Sequence, residues 1–217
     1  MIFPTSVADA GAFLARLLRM DPNALVRLRP DQGGGAVALW ARLPFGVLVT
    51  RRIGADLTDD ATVRAGDLLD ALGAAATSLP TRHDAQWRWP LPPEPGEVVE
   101  RLPAADVHRI GAAAARTLRE AAAGGVGGRA VGERVLRDAL LDHVPVVVET
   151  GGGRRVEVPQ RLVQAVVRMG FLGPAAGVGS GDARVEVRVA AGWVGLAAPY
   201  GSAWHRPSTT LDIHPAS

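Results

Sequence analysis

Residues 146–170 read VVVETGGGRRVEVPQRLVQAVVRMG, and this stretch decides the fold. A β-branched run ends at a triple-glycine turn, and Arg155–Val158 then alternates polar and apolar as a strand does. After Pro159 the period changes: Leu162, Val166 and Met169 recur at helical spacing. The reading is strand, glycine turn, strand, helix. The turn carries Arg154 and Arg155, and the helix carries Arg161, Gln164 and Arg168 on the stripe opposite its apolar one, with no acid among them. Two functions fit this pattern. A wing and helix could grip nucleic acid, or an ordinary hairpin and helix could close a core behind a basic outer stripe. In a winged-helix domain the recognition helix precedes the wing, which would make residues 130–142 the reader. Glu133, Asp138 and Asp142 stand there beside Arg134 and Arg137, a poor face for phosphate. Order and charge both weigh toward the core reading.

Working outward, apolar spacing predicts a helix over 6–20, with Val7, Ala10, Leu14, Leu17 and Leu18 on one stripe. Strands follow near 24–29, 36–43 and 46–53, turned by GGG at 33–35 and LPFG at 43–46. A second helix is expected over 61–76, flanked by Asp56, Asp59, Asp60, Asp67 and Asp70, and then a short strand. QWRWPLPPEPG, with Pro90, Pro92, Pro93 and Pro95, reads as an extended tether. That places an N-terminal unit at 1–90, a Pro-rich linker at 91–97 and a C-terminal unit at 98–217. The second unit is read as a helix over 104–123, a glycine break at 123–128 and a helix over 130–142. The quoted hairpin and helix come next, then a loop at 173–182, strands near 183–190 and 192–198, and a disordered tail after Arg206. The class is α+β: two small units, each a helix packed on short antiparallel strands, with a helical segment added in the second. A faint echo between 17–35 and 140–153 suggests that the units are related.

Composition excludes more than it assigns. All 24 basic residues are arginine. A P-loop, a pyridoxal Schiff base and a protein kinase each need a lysine, so none of these fits. With no cysteine, thiolate catalysis and Cys-based metal sites are excluded as well. The sequence pI near 10.2 overstates basicity, because the net charge is only +2. Almost nothing titrates between histidine and arginine here, so the zero crossing slides up toward the tyrosine pKa of about 10. No apolar run approaches the roughly 18 residues of a membrane helix, and a cytoplasmic location with no membrane partner is expected.

Three further groups carry candidate chemistry. Between Pro22 and Ala55 stand Arg27, Arg29, Arg42, Arg51 and Arg52 with a single acid, Asp31. Alternation puts Arg27 and Arg29 on one sheet face and leaves Trp40 and Arg42 outward, a surface suited to bases and phosphates. The plainer alternative pairs these arginines with the acidic 56–70 segment. Trp87 and Trp89 share one side of an extended stretch, as a ligand platform or as anchors for the tether. Asp142, His143, Tyr200, Trp204 and His205 could converge on a pocket. The histidines show no metal-ligand spacing, no nucleophile elbow is present, and no metal or cofactor is expected.

WARLPFGVLVTRR, RWPLPP and VPQRLVQAVVRMGFLG resemble an uncharacterised protein family of high-GC Gram-positive (actinobacterial) bacteria. The resemblance spans most of the chain and brings no activity, cofactor or site; it implies a complete protein rather than a fragment. The function these residues favour is a non-catalytic interaction or adaptor protein that binds an unidentified protein partner or itself through basic patches. The alternatives are a DNA- or RNA-binding regulator using Arg154, Arg155, Arg161, Gln164 and Arg168, and an enzyme of unidentified type.

Overall fold

Val146–Glu149 and Arg155–Val158 pair antiparallel, Val146 opposite Val158 and Glu149 opposite Arg155, and Gly153 closes the turn at φ +75°. The helix Gln160–Arg168 follows, with Leu162, Val163, Ala165 and Val166 buried. The computed structural model describes residues 4–93, 95–124, 133–173 and 183–207. The glycine break at 125–128, the loop at 174–182 and the tail from 208 lie outside the described residues.

In chain order the elements are α1 (Pro4–Leu18), β1 (Leu25–Pro30), β2 (Ala36–Arg42), β3 (Leu48–Gly54), β4 (Ala61–Arg64), α2 (Ala65–Gly73) and β5 (Glu97–Pro103). Then come α3 (Ala104–Gly124), α4 (Glu133–Asp142), β6 (Val146–Glu149), β7 (Arg155–Val158), α5 (Gln160–Arg168), β8 (Arg184–Ala190), β9 (Trp193–Ala198) and β10 (Gly201–His205). The fold is α+β. Eight strands form one antiparallel sheet in the order β4-β1-β2-β3-β10-β9-β8-β5, and β6-β7 form a separate two-stranded ribbon.

Three strands depart from the sequence reading. Residues 61–64 are a strand where a helix start was expected, because Thr62 and Val63 pair with β1 and the helix begins only at Ala65. β5 and β10 were not anticipated. β5 carries a bulge between Val98 and Glu100 that breaks its alternation. β10 is five residues long and half apolar. The short strand expected before Gln86 is a single bridge from Arg82 to Val63, followed by one turn of 3-10 helix at Asp84–Gln86.

β10 joins the halves. It pairs with β9 on one side and with β3 on the other, Ser202 opposite Thr50 and Trp204 opposite Leu48. One aliphatic cluster runs beneath the sheet through both halves, from Phe13, Leu14 and Leu17 of α1 to Leu162, Val166 and Met169 around α5. The rings of Phe13 and Phe171 stack with centroids 6.4 Å apart. α4 packs on α3 and α5, with Leu141 buried, while Val135 is 63% exposed.

The opposite face is covered differently. Ala38, Trp40, Leu48, Trp193 and Trp204 form a second cluster, and Trp87, Trp89 and Leu91 pack onto it. The stretch read as a tether therefore lies across the sheet as a lid, with Arg88 outward and Pro92 buried. Trp87 and Trp89 meet edge to face at 5.2 Å, and the Trp87 indole donates to the Trp89 carbonyl at 2.8 Å. The anchoring alternative describes both tryptophans.

Candidate interaction surfaces

Arg27, Arg29, Trp40 and Arg42 do share the outer sheet face, as alternation requires: Arg27 lies opposite Trp40 and Arg29 opposite Ala38. They do not make an open aromatic and cationic surface. Trp40 is 2% exposed beneath the lid. Arg27 donates to Asp60 at 2.5 Å, which is the internal pairing with the acidic segment that the sequence offered as the plainer alternative. Arg42 lies 5.3 Å over the Trp89 ring, a cation–π contact that fastens the lid. Arg52 pairs with Asp31, and on β8 Arg188 pairs with Glu186 at 2.6 Å. The hydrogen bond from Arg188 holds the Glu186 carboxyl below its ordinary pKa, with Arg101 adding to the effect. Of the named group, Arg29 remains exposed and has no side-chain partner among the described residues.

The hairpin–helix group is also divided. Arg161 bonds the Phe45 carbonyl at 2.8 Å and pairs with Asp142, tying α5 to α4 and to the β2–β3 turn. Gln164 is half-buried and reaches the Gly111 carbonyl of α3 at 3.5 Å. Arg155 lies 3.4 Å from Glu157. Arg168 is exposed at the end of α5, and Arg154 is exposed in the turn with its backbone N–H bonded to Thr150. The stripe exists on a helical wheel. Packing spends it on the fold.

The pocket that Asp142, His143, Tyr200, Trp204 and His205 could have formed does not assemble. His205 sits near Arg161 and Asp142, and burial lowers its pKa, helped by the Arg161 charge. His143 is exposed, and Tyr200 lies beside Arg51. Trp204 points to the other sheet face from His205, as successive strand residues must. Among the described residues, no three His, Asp or Glu side chains gather as a metal site requires.

Four grooves among the described residues bear on function. One of about 460 Å³ lies between the β6–β7 hairpin and the β8–β9 turn, lined by Glu97, Arg154, Arg155 and Glu157. One of about 550 Å³ has Arg29, Asp31 and Trp40 facing Leu91 and Pro92. A third, about 480 Å³, lies where β3 runs past β10, lined by Asp9, Arg51, Arg52 and Tyr200. In all three, acids face the cations. The fourth is apolar: about 450 Å³ walled by Val7, Leu28, Val37, Leu57, Leu68, Leu72 and Leu79. It was absent from the sequence reading. The signal for it was available in the leucines of α2 and in Leu57 and Leu79, which flank that helix without closing over it.

The sheet edges differ. Along β4 the backbone of Thr62 is engaged twice, its N–H by the Asp84 carboxylate at 2.6 Å and its carbonyl by the His83 N–H at 2.7 Å. The first of these bonds is the main cause of the lowered Asp84 pKa. β5, at the far edge, pairs with β8 on one side and has no described strand on the other, but its bulge interrupts the ladder and the Glu100 carboxylate accepts the Arg101 N–H at 2.7 Å.

Two descriptions of protein families fit the chain: the domain of unknown function DUF8010 over residues 3–89 and the domain of unknown function DUF8185 over residues 91–210. No curated protein matches. Among solved structures, the fold is similar to the DNA polymerase III subunit beta from Pseudomonas aeruginosa, with a TM-score of 0.53 at 12% identity over 97% of this chain and 67% of that one. The beta subunit from DNA polymerase of Streptococcus pyogenes gives 0.54 at 11% identity over 97% of this chain and 65% of that one. The beta subunit of DNA polymerase III from Thermotoga maritima gives 0.52 at 10% identity over 94% and 63%. The chain thus spans about two thirds of the length of these structures, and at such identities the likeness is one of fold.

Proposed function

The chain belongs to the family of the domain of unknown function DUF8185, and we propose that it works as a non-catalytic interaction module that binds a protein partner or a second copy of itself. One observation carries this reading. Trp40, Arg27, Arg42, Arg155, Arg161 and Gln164 are all engaged inside the chain, and Arg29, Arg154 and Arg168 sit on the outer sheet face, the hairpin turn and the end of α5. A phosphate backbone is gripped by several cations aligned on one surface, and these are dispersed. The helix layer mixes signs as well. On α3, Arg109 pairs with Asp106 and Arg116 with Glu120.

The division into units at 1–90 and 98–217, with 91–97 between them, belongs to the same proposal. The two family descriptions meeting between residues 89 and 91 support it. A cytoplasmic location and an origin in high-GC Gram-positive bacteria are part of the same proposal; no described helix is long and apolar enough to cross a membrane.

A second reading, DNA or RNA binding, is favoured by the solved neighbours, which include the DNA polymerase III subunit beta from Pseudomonas aeruginosa and the DNA polymerase sliding clamp from Caulobacter crescentus. Fluorescence anisotropy with labelled mixed duplex and single-stranded oligonucleotides, in roughly 50 mM salt, separates the two. The interaction reading expects no binding at micromolar protein. Binding that weakens steeply with salt, with a slope flattened by Arg154→Ala and Arg168→Ala together, would replace it with the second.

A further inference from the structure

The apolar groove beside α2 has an acidic rim, and we infer that it is the docking site for a protein segment carrying large apolar side chains flanked by lysine or arginine. This deepens the interaction reading by giving the partner a chemistry.

Its floor is the sheet core, where Leu28 and Val37 end, and one wall is the α2 stripe of Leu68, Ala71, Leu72 and Ala75. Leu57, Leu72 and Leu79 are only half-buried, so a row of leucines stays in contact with water. The volume, about 450 Å³, lies within the ~300–1,000 Å³ of ordinary binding pockets. The far wall is held in an unusual shape. α2 ends in a paired closure, Ala76 N–H to the Ala71 carbonyl and Ala75 N–H to the Leu72 carbonyl, which puts Ala75 at φ +49° where glycine is the usual occupant. A non-glycine residue in that region stores strain, and such strain gathers at binding sites.

Charge selects the occupant. Asp56 lines the groove, Asp59 is exposed in the loop that supplies Leu57, and Asp67 is exposed on α2 one turn before Ala71. Between Asp56 and Asp70 the sequence holds a single cation, Arg64. A rim of this sign repels nucleic acid and anionic lipid surfaces alike and attracts a basic, amphipathic segment.

The probe is a phage-displayed library of random 12-residue peptides, panned on the immobilised full chain, with the enriched peptide then synthesised for anisotropy. Enrichment of apolar residues beside two or more lysines or arginines is expected. Ala71→Arg should weaken the enriched peptide by about tenfold or more, and Asp59→Asn with Asp67→Asn by about three- to tenfold at low salt, with unchanged thermal midpoints. Failure to enrich, enrichment of neutral or acidic peptides, or indifference to Ala71→Arg overturns the proposal. So does a dimer in sedimentation that Ala71→Arg abolishes, since the groove would then hold a second copy. A chain that selects no peptide yet binds no oligonucleotide removes this site and leaves the broader interaction reading standing.

Discussion

The two faces of the eight-stranded sheet solve one burial problem with different materials. Beneath it, α1, α2, α3 and α5 press aliphatic stripes onto Val26, Leu39, Val49, Val187 and Leu196, and the contacts are many and interchangeable. Above it, no α-helix packs among the described residues. A short proline-rich segment covers Trp40, Trp193 and Trp204 with two further tryptophans. Few large rings must do the work of many small ones, so the outer face concentrates its stability in single residues. Gly195 lies opposite Trp204 in the β9–β10 ladder, and a Cβ there would stand 2.5 Å from the indole. A Cβ on Gly96, at φ +70°, would stand 3.0 Å from the far end of the same ring. Trp204 is fitted between two glycines.

If that concentration is real, Trp204→Ala should cost about 3–5 kcal/mol in urea melts. A loss no larger than that of an exposed alanine substitution would break the comparison. Gly195→Ala should cost about 1–3 kcal/mol by overpacking the indole; a neutral result would mean that the lid yields freely. Trp89→Ala removes one ring and the Arg42 contact, for about 1–2 kcal/mol, and should speed proteolysis within 87–93 while leaving the helix-covered face intact.

The inner face has its own weak point at His205. Its pKa in the folded chain lies below the unfolded value of about 6.5, so the unfolded state binds more protons between the two. Stability is therefore full above about 6.5 and falls as pH drops from there toward the folded pKa. His205→Gln should flatten the denaturant midpoint between pH 7 and 5. The lowered Asp84 and Glu186 pKa values act separately, below about pH 4.5, and should survive that substitution. The smallest effect is a gain: Ala75→Gly relieves the left-handed backbone after α2 and should add about 0.5–1 kcal/mol.

The elements with a clean period were legible. RVEVRVA alternates strictly and was read as a strand, and its Val185, Val187 and Val189 are buried. β5 was not, because its bulge destroys the alternation on which strand reading depends. The sequence put Arg27, Arg29 and Arg42 on the outer sheet face, where they lie. It erred on whether that face stays open, since Trp40 and Arg42 needed the lid to be seen before their exposure could be judged.

Sequence alone determined the α+β class, the helix and hairpin at 146–170 and the exclusion of lysine- and cysteine-dependent chemistry, because local periodicity and residue inventory are properties of neighbours along the chain. Only the tertiary structure decided that β3 pairs with β10, that the proline-rich stretch roofs a sheet, and that an acidic-rimmed groove remains beside α2. Those outcomes depend on contacts between segments up to about 150 residues apart, such as Arg51 with the Tyr200 carbonyl, and no local period encodes them.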